Sequence, residues 1–280
     1  MRRVHAGRGW QWIKEAWRLI RPRFGLVLGT VLLMYVLLFV ASMIPMIGNI
    51  IAPILAPFLA GGVYVILRRV REIEQRSRIE PLASEQPISF DLLFSVFKDP
   101  APRKALLWLG FVSIAFSLAL LLVVATFVTV KLSGVDHSML TDPSANDEQR
   151  IRFLIPYLMD PDAWALWIGI LIASVAYSMA TFFAVPLIVL RGETLRSAFS
   201  QSFSAVGRNW SAFLVYALVL FVLFLTVPIT LMLSLILLLP LIVTSVFVAF
   251  EDIWNDSPVG GDADRQDQGR VLQERTSTVM

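Results

Sequence analysis

Four stretches of this 280-residue chain hold no Asp, Glu, Lys, Arg or His: residues 24–67, 105–130, 164–190 and 211–250. The hydrocarbon core of a bilayer is ~30 Å thick and takes ~20 helical residues at ~1.5 Å rise. The second and third stretches, 26 and 27 residues long, each suit one tilted span. The first and last, of 44 and 40 residues, would reach ~60 Å or more as single helices, twice what a bilayer accepts. Each must therefore turn back as a hairpin. Pro45-Met46-Ile47-Gly48-Asn49 supplies the first turn, because Pro, Gly and Asn cluster there. The second turn is placed near Thr226–Thr230, around Pro228. Six helices follow, at 24–44, 50–67, 105–130, 164–190, 211–227 and 231–250. A five-span arrangement with one short segment re-entrant is the alternative.

The expected fold is all-α: a polytopic transmembrane helical bundle of about six spans, arranged as hairpins with cytoplasmic amphipathic helices. It divides into an amphipathic segment 1–23, hairpin 24–67, a loop 68–104, hairpin 105–190 with an extracytoplasmic loop 131–163, an amphipathic helix 191–210, hairpin 211–250, and a disordered tail 251–280. Composition agrees. Hydrophobic residues make up 57% and charged residues 16%, against roughly 45–50% and 25% in ordinary soluble domains. This excludes soluble, disordered and nucleic-acid-binding classes. Cleavage of the first helix as a signal peptide is not expected, since its charged leader is long and Ala41-Ser42-Met43 makes a poor cleavage site.

Charge sets the orientation. Of 24 Lys and Arg residues, 21 fall in segments 1–23, 68–104, 191–210 and the tail, which an even number of spans places on one side. By the positive-inside rule that side is cytoplasmic, and both termini share it. The expected location is the bacterial inner (plasma) membrane. The Trp residues lie near span ends or in flanking segments, where indole prefers the headgroup layer. Trp10, Trp17, Trp164, Trp210 and Trp254, with Arg68, Arg69 and Arg71, are the expected interface anchors. Membrane lipids are the expected partners, together with a membrane-protein partner or a second copy of the chain. No nucleic acid is expected.

Ahead of the first hairpin, Trp10, Ile13, Trp17, Ile20 and Phe24 recur at spacings of 3 and 4. Ahead of the last, Leu195, Phe199, Phe203, Val206 and Trp210 do the same. Both are helical periods with one apolar face, expected along the cytoplasmic surface or across the inner ends of the spans. Phe90, Leu93, Phe94 and Phe97 sketch a shorter version. The segments from Ala16 and from Ser202 align at an offset of 186, and Pro45 and Pro57 match Pro228 and Pro240 at 183. A unit of surface helix plus proline-marked hairpin is thus expected twice, with the middle third as a diverged copy. Pro57, Pro186 and Pro240 sit inside or near the ends of spans. Each frees a carbonyl, read as a kink satisfied by a neighbouring helix in preference to a gate.

Candidate chemistry is sparse. An intramembrane ionisable residue would be the first functional candidate, and the four stretches contain none. There is no Cys, and the two His residues, His5 and His137, lie outside the spans. No P-loop, GxGxxG, GxSxG or HExxH pattern occurs. The acidic residues of 131–163 fit no ordered metal loop and are read as a solvated surface. Gly25/Gly29, Gly61/Gly62, Ser113/Ser117 and Ser174/Ser178 are read as helix-packing positions. Tyr35, Tyr64, Tyr177 and Tyr216 are read as interhelical hydrogen-bonding or interfacial residues. No catalytic, cofactor-binding or metal site is expected.

One set of short motifs carries a resemblance. Gly9-Trp10-Gln11-Trp12, Ile44-Pro45-Met46-Ile47-Gly48 and Pro57 with Gly61-Gly62 come first. Arg208-Asn209-Trp210, Tyr216, Leu239-Pro240-Leu241 and Phe250-Glu251-Asp252-Ile253-Trp254 follow. In this order, over residues 9–254, the chain resembles a family of uncharacterised proteobacterial integral membrane proteins. The resemblance implies a six-helix inner-membrane protein and brings no established activity or functional residues. The expected role is non-enzymatic, through lipid or protein contacts. The alternative is a permease or lipid-handling transporter with an uncharged pathway near the prolines.

Overall fold

Inside lipid a backbone must satisfy its own N–H and C=O groups, which leaves helices or closed barrels. The computed structural model describes residues 1–79, 88–133 and 142–254, and every regular element among them is helical. The first half holds α1 (Arg8–Ile20), a 3₁₀ turn (Arg21–Arg23), α2 (Phe24–Ser42) and α3 (Gly48–Ile79). A 3₁₀ turn (Phe90–Phe94), α4 (Ser95–Lys98) and α5 (Pro100–Leu132) follow. Then come α6 (Asp147–Leu158), α7 (Pro161–Thr181), α8 (Ala184–Arg191), α9 (Leu195–Arg208), α10 (Trp210–Phe224), α11 (Thr226–Ile229) and α12 (Leu233–Trp254).

Six helical stretches among the described residues are long and apolar enough to cross a membrane: Arg8–Ser42, Gly48–Ser77, Pro100–Lys131, Ala163–Arg191, Trp210–Ile229 and Leu233–Trp254. They coincide with the six expected from the sequence. The end of the bundle that carries Arg8, Arg68 and Arg191 is termed the inner end below.

The first reversal, Met43–Ile47, falls where Pro45 and Gly48 predict it, with Met46 at φ 66°. The second lies at Thr230–Met232, just beyond the expected position, with Leu231 and Met232 at φ 50° and 68°. Pro228 is accommodated in the first turn of α11, where a missing N–H costs nothing. Pro57 and Pro240 are inside α3 and α12. The carbonyl of Pro53, which Pro57 deprives of its partner, faces α5, and a Cβ placed on Gly110 would lie 3.2 Å from it. Pro186 differs from expectation. The span at 164–190 is not one kinked helix: it breaks after Thr181 and restarts as α8, with Pro186 in the new first turn. Ser202 of α9 bridges the break, its Oγ accepting from the Phe183 N–H (3.0 Å) and donating to the Met179 carbonyl (2.7 Å). Ser202→Ala is expected to cost about 1–3 kcal/mol by leaving a buried N–H unpaired, measured as a lower melting temperature in detergent.

The 131–163 loop contains α6, absent from the sequence reading. Asn146 caps it, accepting from the Gln149 N–H while the Gln149 side chain returns to the Asn146 N–H, both at 2.9 Å. Ser144 hydrogen bonds hold the Asp142 carboxyl below the usual carboxylate range. Asp136 and His137 of this loop, and the expected disordered tail beyond Trp254, lie outside the described residues.

Both amphipathic helices pack through faces in which small residues stand beside part of the expected apolar stripe. In α1 the buried positions are Gly9, Trp12, Ile13, Ala16, Leu19 and Ile20, while Trp10 and Trp17 face outward. In α9 they are Ala198, Ser202 and Ala205, while Phe203 faces outward. Small side chains let the backbones approach. Of the expected stripes, Ile13 and Ile20 are buried and Phe24, Leu195, Phe199 and Val206 pack on the core, while Trp10, Trp17 and Phe203 lie on the outer flank. A Cβ on Gly9 would lie 2.2 Å from the Ala212 carbonyl oxygen. α1 packs against both α10 and α12 at the inner end, and a Tyr216–Ser245 hydrogen bond of 2.8 Å ties those two helices together. The core sits in this inner half. Toward the outer ends, Leu121 and Leu122 of α5, Leu171 and Ile172 of α7, and Phe221 and Val222 of α10 are exposed.

Candidate functional site

A buried polar cluster forms where the N-terminal arm, α1, the inner end of α3 and the last turn of α12 meet. The apolar run of α12 ends in Glu251-Asp252, and the helix continues through Trp254 with all four residues from Glu251 buried. The first four residues of the segment expected as a tail thus belong to α12. The Asp252 side chain is fully buried. Its carboxylate accepts from the Arg2 guanidinium, from Arg8 Nε at 2.7 Å and from Trp12 Nε1 at 2.8 Å. Arg8 Nη1 also donates to Gln11 Oε1 (2.6 Å) and Glu15 Oε1 (3.0 Å). Beside this, Arg71 Nε donates to Glu251 Oε2 at 2.9 Å and its Nη1 to Glu74 at 3.3 Å.

The arm is fastened by its backbone as well. Arg2 N–H donates to the Ile253 carbonyl at 2.9 Å, and Val4 N–H to Asn209 Oδ1 at 2.8 Å. Asn209 sits at the break between α9 and α10 and returns Nδ2 bonds to the Arg2 and Ala205 carbonyls. Under the cluster, Trp12 packs on Phe213 (ring centroids 5.2 Å) and Tyr216 (6.0 Å). Charge inside low-dielectric surroundings is costly unless paired. Here the guanidinium groups of Arg2, Arg8 and Arg71 face the carboxylates of Glu15, Glu74, Glu251 and Asp252, so each buried charge has an opposite one beside it. Among the described residues, Arg8 Nη2, Glu15 Oε2 and Arg71 Nη2 have no protein partner. Chemically the arrangement is a latch that binds the two ends of the helical unit together.

The expected anchors separate into two groups. Trp10, Trp17, Trp164 and Trp210 are exposed, Trp210 at 67%. Arg68 is likewise exposed and Arg69 half-buried, and they share Glu72, at 3.4 and 3.2 Å. Arg71 belongs to the buried cluster. Trp254, expected among headgroups, is 7% exposed and packs on Phe250 and Phe183. Its Nε1 donates to Gln201, which donates to Ser197 Oγ, which in turn donates to Glu193. The hydrogen bonds from Ser197 and Gln201 hold the Glu193 carboxyl below the usual range. The reason for the difference is the helix end: α12 carries Trp254 one turn past the apolar run and into the aromatic cluster. Trp12, Glu251 and Asp252 enter the sequence analysis only inside motifs of the resemblance, and Arg2 and Arg8 only as part of the N-terminal positive charge. The available signal was an acidic pair closing a span on the side otherwise rich in Arg.

Of the packing positions, Gly61 and Gly62 seat the 90–98 segment on α3, and Ser113 accepts a 2.7 Å bond from Tyr177 across α5 and α7.

Fold and site together define an all-α chain with six helices of membrane-spanning length, latched at one end by buried charge. The chain belongs to the family of unknown function DUF7544, whose model matches residues 100–255. That segment contributes Asn209, Glu251 and Asp252 to the cluster, and the preceding residues contribute its cations. No curated protein and no solved structure matches the chain.

Proposed function

We propose that this is a multi-pass protein of the proteobacterial inner membrane, with both termini cytoplasmic, that acts without enzymatic chemistry through contacts with lipids or with membrane-protein partners, a second copy included. The observation that carries this reading is the contrast between the two ends. The inner end is a tight, charge-latched core, whereas the outer halves of α5, α7 and α10 present large apolar side chains to their surroundings. Such surface is stable only against lipid or another apolar protein face. Orientation rests on the 21 of 24 cations on one side. Reporter fusions at residue 1 and after Trp254 are expected to read cytoplasmic, and one inserted near Ser144 to read periplasmic. Termini on opposite faces would reject the reading.

The proposal extends to an internal repeat. Trp12, Ala16 and Leu19 are buried on α1, and Ala198, Ser202 and Ala205, each 186 residues later, are buried on α9. Arg23 and Asn209, related by the same offset, break their helices with closely similar backbones (φ −126°, ψ 34° and φ −116°, ψ 24°). An experimental structure in which residues 8–70 and 195–254 superpose poorly would remove the repeat.

A second reading, a lipid-handling transporter, is favoured by one observation: an apolar groove lies along α3 beside Pro53 and Pro57. Reconstituted protein that accelerates transbilayer movement of a labelled lipid would establish it, and a rate equal to that of empty vesicles would dismiss it.

A further inference from the structure

We infer that the inner end of α5 holds a binding site for one diacyl phospholipid with an anionic headgroup; the inference deepens, and rests on, the lipid-contact reading above. Two open apolar grooves meet there. One, of about 340 Å³, runs between α3 and α5, with Ile51, Ile54, Leu55 and Phe58 on one wall and Leu107 on the other. The second, of about 370 Å³, runs along α5 past Trp108 and Phe111. Arg103 and Leu107 line both. Leu107 thus divides two apolar channels that share a cationic mouth, the outline of a headgroup with two acyl chains. From Ile51 to Phe58 the wall of the first groove covers ~10 Å of helix, against ~15 Å for half of a ~30 Å hydrocarbon core.

The mouth is suited to net negative charge. Arg103 and Lys104 are adjacent and exposed, and neither has an acidic partner among the described residues. Arg103 spends one donor on the Phe97 carbonyl, at 2.8 Å, which fixes its direction. Guanidinium carries five donors, so four remain for phosphate oxygens. Asp99 is the nearest acidic residue along the helix, and its carboxylate caps α5 by accepting from the Ala101 N–H at 2.9 Å. The base of the first groove is firm: Phe97 stacks on Phe58 with centroids 4.9 Å apart. Trp108 lies beside the mouth with its ring exposed, at the level where indole favours headgroups. Two unpaired cations over paired apolar channels match an anionic diacyl lipid better than a zwitterionic one, whose own ammonium would meet Arg103 and Lys104.

The test uses the full chain, purified in mild detergent and examined by native mass spectrometry with equal amounts of phosphatidylglycerol and phosphatidylcholine. The wild type is expected to retain one phosphatidylglycerol with up to about thirtyfold preference, the order that two juxtamembrane cations supply. R103Q/K104Q should abolish the preference and R103K/K104R should keep it. Leu107→Trp, which fills the channels and leaves the cations, should lower retention of both lipids. Added glycerol phosphate should not displace the lipid. Equal retention of the two lipids by the wild type, or an unchanged preference in R103Q/K104Q, would overturn the site. So would a dimer that persists after delipidation and covers the grooves. Resistance to carbonate extraction is measured on the same proteins: its loss counts against membrane insertion itself, whereas inserted protein without headgroup preference counts against the site alone.

Discussion

Asp252→Ala is expected to destabilise the protein by about 3–5 kcal/mol, the usual consequence of removing one partner from a buried ion pair. Its carboxylate is the shared acceptor for Arg2, Arg8 and the Trp12 indole. Without it the exposed Arg2 loses its counterion, the mostly buried Arg8 keeps only Glu15, and the fully buried Trp12 N–H is left unpaired. On a chain of this size the loss corresponds to roughly 10 °C in melting temperature, read in detergent by intrinsic Trp fluorescence. Two comparisons test the cause. Asp252→Ala combined with Arg8→Ala is expected to cost less than the sum of the single changes, because the double variant leaves less unpaired charge. Lys131→Ala breaks a partly exposed pair with Asp160 (2.8 Å) and is expected to cost under about 1 kcal/mol. A near-neutral Asp252→Ala would mean that the latch contributes nothing to folding.

Gly62→Ala is the second large effect, expected at about 3 kcal/mol, the upper end of what overpacking usually costs. A Cβ at Gly62 would stand 2.0 Å from the Leu93 carbonyl oxygen and 2.6 Å from its carbon. Both are backbone atoms of the 90–94 turn, so no side-chain rotation relieves the clash. The turn must leave α3, carrying Leu93 out of its fully buried position. The chain has no cysteine, so Leu93→Cys is a single reporter: unreactive toward maleimide on the wild-type background, labelled when Gly62→Ala is added. Gly61→Ala is the control. Its new Cβ would meet the tip of the Val189 side chain at 2.9 Å, which rotates aside, and labelling should stay low. Equal labelling in both variants would show that the turn is not held by close backbone contact.

These two positions also mark where sequence reasoning succeeded and failed. Gly61-Gly62 was legible as a packing site, because small residues in an apolar helix have few other uses. What packs there was not, since Leu93 is far along the chain and reaches Gly62 only through the path of the 88–98 segment. Asp252 was counted as part of a tail. Its position one residue beyond Glu251, after an uninterrupted apolar run, looked like the exit of a helix into water. Burial depends on the N-terminal arm returning across the bundle, and no local pattern encodes that return. Likewise the stripes of α1 and α9 have the correct period and share Ile13 and Ile20 with the buried face, but Trp10, Trp17 and Phe203 face outward. Hydropathy ranks Trp10, Trp17 and Phe203 above Gly9, Ala16 and Ala198, whereas close backbone approach selects the small residues.

By itself, the sequence determined the helical class, the six membrane-length helices, the first reversal and the gathering of Lys and Arg in the segments that flank the apolar stretches. Each follows from a local or additive property: the apolar length needed to cross lipid, the turn chemistry of Pro and Gly, the count of Lys and Arg. Tertiary structure alone decided that α1 wedges between α10 and α12, that Trp254 and Arg71 turn inward, and that Arg103 and Leu107 stand at the meeting of two grooves. Those outcomes depend on which surfaces fit against each other across long separations in the chain, and shape complementarity is a property of pairs that no single segment carries.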